Sequence, residues 1–263
     1  MIQFRTYGKT PYPVAVIHGG PGAGGEMAPV ARELGSRWGI LEPIQTAATL
    51  EGQIDELITI LKNHAQIPAV LVGYSWGAWL SWLVTARCPQ LVRKLILISS
   101  APFEERYAAA ILQTRFERFT LAEQGQFNAA LAALSQPDFS DKDDSLKRLG
   151  ILAGNADDYA ALPESKSETD RVHLNGNIFS EVWESAAALR RSGELLAQAD
   201  MIRCPVTAIH GDFDPHPADG VRIPLSNALK DFRFILLKKC GHTPWREEFA
   251  CTQFYETLVK EIE

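Results

Sequence analysis

The sequence predicts an α/β protein: a mostly parallel central sheet with helices on both faces and a helical insertion. Three observations predict it. Short runs that are apolar at every position recur in the first hundred residues and return after Pro205; helix-patterned stretches separate them; and several of them stop at glycine or a polar residue. A strand buried on both faces reads as an unbroken apolar run rather than an alternating one, and parallel sheets are covered on both sides.

Residues 2–6 have room for a first strand, and Val14-Ala15-Val16-Ile17 is the next, halted by His18-Gly19-Gly20-Pro21-Gly22. Residues 26–38 read as a helix with Met27, Val30, Ala31 and Leu34 on one side. Gly39-Ile40-Leu41 is a weak strand, stopped by Pro43. Leu50, Ile54, Leu57, Ile58 and Leu61 keep the spacing of an amphipathic helix. Ala69-Val70-Leu71-Val72 and Leu95-Ile96-Leu97-Ile98 are strands, and the helix between them, residues 76–88, is apolar around most of its circumference and so buried.

The alternation breaks at Ala101-Pro102, and helical patterns alone run to about Asp200. Thr120-Leu121-Ala122-Glu123 has the form of a capping box. Asn177 is the expected cap of a helix through Val182 and Trp183 to about Arg191, and residues 163–169 read as an exposed loop. The strand pattern resumes with Val206-Thr207-Ala208-Ile209 and Phe234-Ile235-Leu236-Leu237, and a closing helix is expected over 247–262. Residues 1–102 and 201–263 therefore form one core, with residues 103–200 inserted as a helical cap.

The 263 residues carry a net charge of −6, which argues against a nucleic-acid or anionic-membrane partner, since either needs a basic face. No apolar run reaches the roughly 18 residues of a membrane helix, and the first residues lack the apolar stretch of a signal peptide. Cys88, Cys204, Cys240 and Cys251 form no metal-ligand or CxxC spacing and read as reduced, mostly buried thiols. The expectation is a soluble, cytoplasmic protein.

Gly73-Tyr74-Ser75-Trp76-Gly77 matches G-x-S-x-G, a turn that lifts a serine off the end of a strand. The apolar run before it and the helix after it supply the required context. His18-Gly19-Gly20-Pro21-Gly22 follows an earlier strand, where the amides of Gly20 and Trp76 can converge on one oxygen atom. Two such donors stabilise charge developing on an attacked carbonyl, and losing one costs about 3 kcal/mol. The phosphate-cradling pattern G-x-x-x-x-G-K-[ST] is missing from this loop.

A serine needs a base, and the base needs an orienting group. His242 follows the last strand in Cys240-Gly241-His242, and Asp214 follows the preceding one in His210-Gly211-Asp212-Phe213-Asp214-Pro215-His216. Asp214 is the preferred acid, and Asp212, nearer the strand end, is its rival. His64 ends a helix, and His173 lies in the insertion without a nameable partner. His210, Asp212, Asp214 and His216 match no metal-site spacing, so neither a metal nor a cofactor is expected.

These residues resemble the α/β-hydrolase superfamily across nearly the whole core. Gly211-x-x-Asp214 and Gly241-His242 are similar to the signatures that carry the family's acid and histidine, and the family's cap commonly enters after the strand at Leu95–Ile98. The His-Gly-Gly-Pro-Gly loop and Trp76 more narrowly resemble proline iminopeptidases, which release an N-terminal proline and hold its amine with acidic cap residues. Tyr74 in place of the glycine usual in those peptidases, Leu41-Glu42-Pro43-Ile44-Gln45-Thr46 in place of a charged loop, and the short start all depart from that narrower pattern.

The resemblance implies a cofactor-independent serine hydrolase acting on a small ester or amide, with Ser75 as nucleophile, His242 as base, Asp214 as orienting acid and Gly20 with Trp76 as oxyanion donors. An aminopeptidase is the alternative, followed by C–C cleavage or lyase chemistry on the same scaffold, or a pocket that only senses a ligand. Residues 101–200 hold 17 acidic and 10 basic side chains, a net −7 against +1 elsewhere. That charge either draws an amine-bearing substrate or lies on solvated faces, the second being preferred. Phe103, Tyr107, Phe116, Phe119 and Trp183 either line a pocket or pack against the core.

Overall fold

The computed structural model describes residues 3–136, 140–163 and 174–263. His173, Ile2 and nearly all of the 163–169 loop lie outside the described residues. Seven strands there form one sheet: β1 (Gln3–Tyr7), β2 (Val14–Ile17), β3 (Ile40–Ile44), β4 (Ala69–Tyr74), β5 (Val92–Ile98), β6 (Val206–Gly211) and β7 (Phe232–Leu237). Their spatial order is β1-β3-β2-β4-β5-β6-β7, and every pairing is parallel except β1 with β3.

Period-two alternation sends neighbouring side chains of each strand to opposite faces. Leu71 joins the core beneath α2 (Leu50–His64) and α3 (Trp76–Arg87), while Val70 and Val72 join the core beneath α1 (Ala28–Leu34) and α10 (Cys251–Ile262). Every residue of α3 from Trp76 to Ala86 is buried, as its apolar circumference predicts.

Between β5 and β6 come α4 (Ala108–Arg118), α5 (Leu121–Ser135), α6 (Lys142–Asp157), α7 (Gly176–Ser192) and the short α8 (Glu194–Ala197). Phe119, Phe127, Leu134, Leu146, Leu149 and Leu152 give this segment an apolar cluster of its own. Phe116 and Phe119 both pack on Phe127, Phe103 meets Trp82 edge-on, and Trp183 stacks on Trp79 with centroids 5.9 Å apart. The Thr120–Glu123 capping box forms with both reciprocal bonds.

Several boundaries differ from expectation for local reasons. α1 is only seven residues, because the chain turns before Ala28 and winds into tighter turns from Gly35 to Trp38. Pro43 does not end β3: the parallel ladder to β2 stops at Leu41, so Pro43 pairs only with β1 and costs that ladder no bond. Asn175, not Asn177, caps α7, its side chain accepting the Ile178 N–H at 3.0 Å. A helix not expected, α9 (Asp219–Ala228), carries Pro224 in its interior. The Gly220 carbonyl that Pro224 leaves free accepts the Phe103 N–H at 2.9 Å. α10 begins at Cys251 rather than 247, Glu247 being used elsewhere. Of the four free cysteines only Cys240 is buried; the other three are half-buried.

Candidate active site

The strand order reverses direction between β2 and β4, and the loops that leave the carboxyl ends of these two strands lie side by side. Such a switch point is where open α/β sheets bind ligands. Ser75 leaves β4 with φ 51° and ψ −114°, a left-handed conformation uncommon for a residue with a side chain. Its N–H donates to the Ile98 carbonyl at 2.9 Å, and α3 starts immediately after it.

The glycines on either side answer to close backbone approach. A Cβ on Gly73 would collide with the Gly77 carbonyl, and one on Gly77 with the carbonyls of Ile17 and His18. The turn is thereby pressed against the loop after β2. There Gly20 has φ +52°, and the amide of Trp76, in the first turn of α3, has no partner within its own helix. Buried His18 braces the loop: its Nδ1–H donates to the Gly19 carbonyl at 2.7 Å and its Nε2 accepts the Gln45 N–H at 3.3 Å. Burial holds this imidazole below its ordinary pKa, consistent with a neutral ring bonded in that way. On its outer side the Gly22 carbonyl accepts the N–H of Asn175, the residue that caps α7.

Asp214 and His242 meet Ser75 from the far edge. His242 Nε2 stands 3.1 Å from Ser75 Oγ, and His242 Nδ1 stands 2.8 Å from Asp214 Oδ2. A carboxylate only accepts, so Nδ1 carries the ring proton and Nε2 is left to accept from the serine hydroxyl. Asp214 is buried, which by itself raises a carboxyl pKa; the imidazoles of His242, His216 and His210 outweigh this and hold it well below the usual range. Burial depresses His242, and the Asp214 charge and hydrogen bond more than offset it, so its pKa lies above the ordinary value. The rival acid, Asp212, faces away: it accepts the Cys240 N–H at 3.3 Å and stands 3.6 Å from Lys238 Nζ.

The helical segment reaches this site directly. The Asp157 carbonyl at the end of α6 accepts the His242 N–H at 3.0 Å. Arg115 on α4 clamps the Asp157 carboxylate with two bonds, at 2.8 and 2.5 Å. Arg118 donates to the carbonyls of Ala156 and Phe213 and lies 3.6 Å over the Phe213 ring, next to Asp214 in the chain. Glu247, fully buried, gathers the N–H groups of Gly241, Tyr159 and Ala160, each at 2.7 Å. Tyr74, the elbow residue that departs from the iminopeptidase pattern, packs its ring 5.1 Å from that of His242.

None of Arg115, Asp157 and Glu247 has a local motif; each earns its place through a contact more than forty residues away. His216 had only one sequence signal, its place two residues after the acid. Among the described residues, the ligating atoms of Asp214, His216 and His242 lie within 4.8 Å of one another. Asp214 is hydrogen-bonded to both histidines, through Oδ1 to His216 and through Oδ2 to His242. Asp212 is not part of this cluster.

Residues 12–255 match the sequence profile of the alpha/beta hydrolase family. The chain belongs to that family. A pimeloyl-[acyl-carrier protein] methyl ester esterase of Chromobacterium violaceum is 24% identical over 250 residues, 92% of this chain and 91% of that one. Among solved structures, VinJ is similar with a TM-score of 0.70 at 19% identity, covering 98% of this chain and 93% of its own. The enol-lactonase of Burkholderia xenovorans superposes with a TM-score of 0.61 at 17% identity, covering 99% and 96%. These structures share the alpha/beta hydrolase fold with this chain. No helix among the described residues is long and apolar enough to cross a membrane.

Proposed function

We propose that this alpha/beta hydrolase is a serine hydrolase that cleaves the ester of a small substrate through an acyl-enzyme. The observation that carries the reading is the continuous hydrogen-bonded chain from Ser75 Oγ through His242 to Asp214, at 3.1 and 2.8 Å. Ser75 Oγ attacks the carbonyl carbon while its proton passes to His242 Nε2, and Asp214 stabilises the imidazolium. The amides of Gly20 and Trp76 receive the negative charge on the carbonyl oxygen. His242 returns the proton to the departing alkoxide, then takes one from water, which attacks the acyl group and frees Ser75. Helices α4–α7 act as a cap over the site.

The methyl ester esterase relative supports an ester rather than an N-terminal prolyl amide. The acids of the cap give the amine reading little support, because many are engaged locally. Asp157 pairs with Arg115, Glu105 with Arg190, Glu184 with Arg191 and Asp144 with Arg148, while Asp143 accepts the Gly176 N–H.

A fluorophosphonate is expected to label Ser75 covalently, and Ser75→Ala to abolish both labelling and turnover of short acyl methyl esters, a loss of about 10⁶-fold. Peptide mapping that finds the label on another serine overturns the assignment. Turnover of proline β-naphthylamide without turnover of any ester would favour the aminopeptidase.

A further inference from the structure

Asp214 has two carboxylate oxygens, and the reaction proposed above employs only Oδ2. Oδ1 is held by His216 twice, through its backbone N–H and its ring Nδ1, each at 2.9 Å. Because the carboxylate accepts, His216 carries its proton on Nδ1 and leaves Nε2 bare, the same tautomer as His242. The two rings stack with centroids 4.3 Å apart and planes 21° from parallel. One buried carboxylate thus bridges two imidazoles that also lie face to face. His210 secures the arrangement from β6, its Nε2–H donating to the His216 carbonyl at 2.8 Å and standing 3.5 Å from Asp214 Oδ2.

A leucine or phenylalanine would fill this space without the cost of burying an imidazole, so packing alone does not account for His216. The charged and titratable groups that face the pair are Asp214, His210, Tyr74 from the end of β4, Arg115 from α4, Asp157 from α6 and Asp158 just after it. Burial and the neighbouring His242 push His216 down to about 4, against the pull of Asp214. His242, by contrast, is held above its ordinary value. A proton entering the stacked pair therefore resides on His242.

We infer that His216 is a positioning residue for the acid–base pair: its Nδ1–H ties down one oxygen of Asp214 so that the other faces His242, and its ring backs the catalytic imidazole. The inference rests on the reaction proposed at Ser75 and deepens it.

Two variants separate the hydrogen bond from the ring. His216→Asn keeps a donor near the Nδ1 position without the ring, and His216→Phe keeps a ring without the donor. The readout is the rate of fluorophosphonate labelling of Ser75 across roughly pH 5 to 9. His216→Phe is expected to slow labelling at least about tenfold at neutral pH. Its acidic limb should also move to higher pH, because an Asp214 relieved of one donor holds the His242 proton more tightly. His216→Asn is expected to recover the rate to within about threefold and to restore the limb.

A folded His216→Phe with the wild-type rate and limb overturns the inference, as do Asn and Phe variants that fail alike. Wild-type protein that takes up no label overturns the reading of Ser75, a different result from either. Nitrogen NMR of histidine-labelled wild-type protein tests the same point without a variant: at about pH 8 both His216 and His242 should be protonated on Nδ1 and bare on Nε2. A His216 protonated on Nε2 overturns the inference.

Discussion

On one side of Ser75 the chain presents backbone; on the other it presents side chains. The proposed oxyanion side consists of Gly73, Gly77, Gly20 and the first turn of α3, where carbonyls and amides approach so closely that an added Cβ collides at Gly73 and Gly77. The proposed acid–base side is filled by Asp214, His242, His216, Arg115 and Asp157, brought together from two strand ends and two helices and joined by hydrogen bonds to charged groups. The first side tolerates no added atom. The second tolerates no lost counter-charge, since a buried charge without its counterpart costs several kcal/mol.

The contrast breaks most visibly at His242. His242→Gln is expected to lower labelling and ester turnover by about 10⁵-fold. Its thermal midpoint should stay within a few degrees of wild type, because His216 still bonds to Asp214. An unfolded His242→Gln would mean that the side-chain half is structural before it is chemical. In the wild type, activity should fall on acidification as His242 takes up a proton, with the midpoint above the ordinary histidine value.

Arg115→Met comes next. It leaves the Asp157 carboxylate, whose side chain is 4% exposed, without its counter-charge, and the expected loss is about 3–5 kcal/mol in urea denaturation. Labelling should slow as well, since the Asp157 carbonyl holds the His242 N–H. Unchanged stability would show that Asp157 finds water or another donor.

Gly77→Ala probes the backbone side. The new methyl meets the carbonyls of Ile17 and His18, so stability should fall by about 3 kcal/mol and labelling should slow with it. An alanine accommodated without either loss would show that the loop after β2 can retreat from the elbow.

The same contrast explains what was legible in the sequence. Gly73, Ser75, Gly77 and the His18–Gly22 loop announce themselves because a glycine fixed by close approach leaves a short, local pattern, and a strand buried on both faces leaves an unbroken apolar run. Asp214 and His242 could be placed after their strands, and the Gly211-x-x-Asp214 pattern favoured Asp214 over Asp212, but what draws Asp212 away is tertiary: the Cys240 amide and Lys238, brought alongside by the β6–β7 pairing. Arg115, Asp157 and Glu247 were silent because their partners lie 42 to 88 residues off or their bonds run to backbone amides that no motif records. Pro43 misled because it sits where tertiary pairing, not local propensity, accounts for the missing N–H.

The smallest effect lies at the seam between the helical segment α4–α7 and the proposed acid–base side. Asp158 follows α6, and its Oδ1 is buried without a hydrogen-bond partner among the described residues. Burial pushes its pKa from 3.8 up to about 6, with Glu247 and Asp157 adding to the rise and Arg246, 3.8 Å away, opposing it. The folded protein therefore binds this proton more tightly than the unfolded chain does. The contribution favours folding below the unfolded value and is lost as pH rises through about 6. Asp158→Asn, which cannot ionise, should melt above the wild type at about pH 8, by only about 1–3 °C because the site is partly screened by solvent. The gap should close as the pH falls through 6 towards 4. A variant that melts below the wild type at the higher pH would mean that the Arg246 pairing outweighs the burial. The seam would then be held by opposite charge, as the Arg115–Asp157 pair is, and Arg246 would take its place among the side chains that fasten the helical segment to His242.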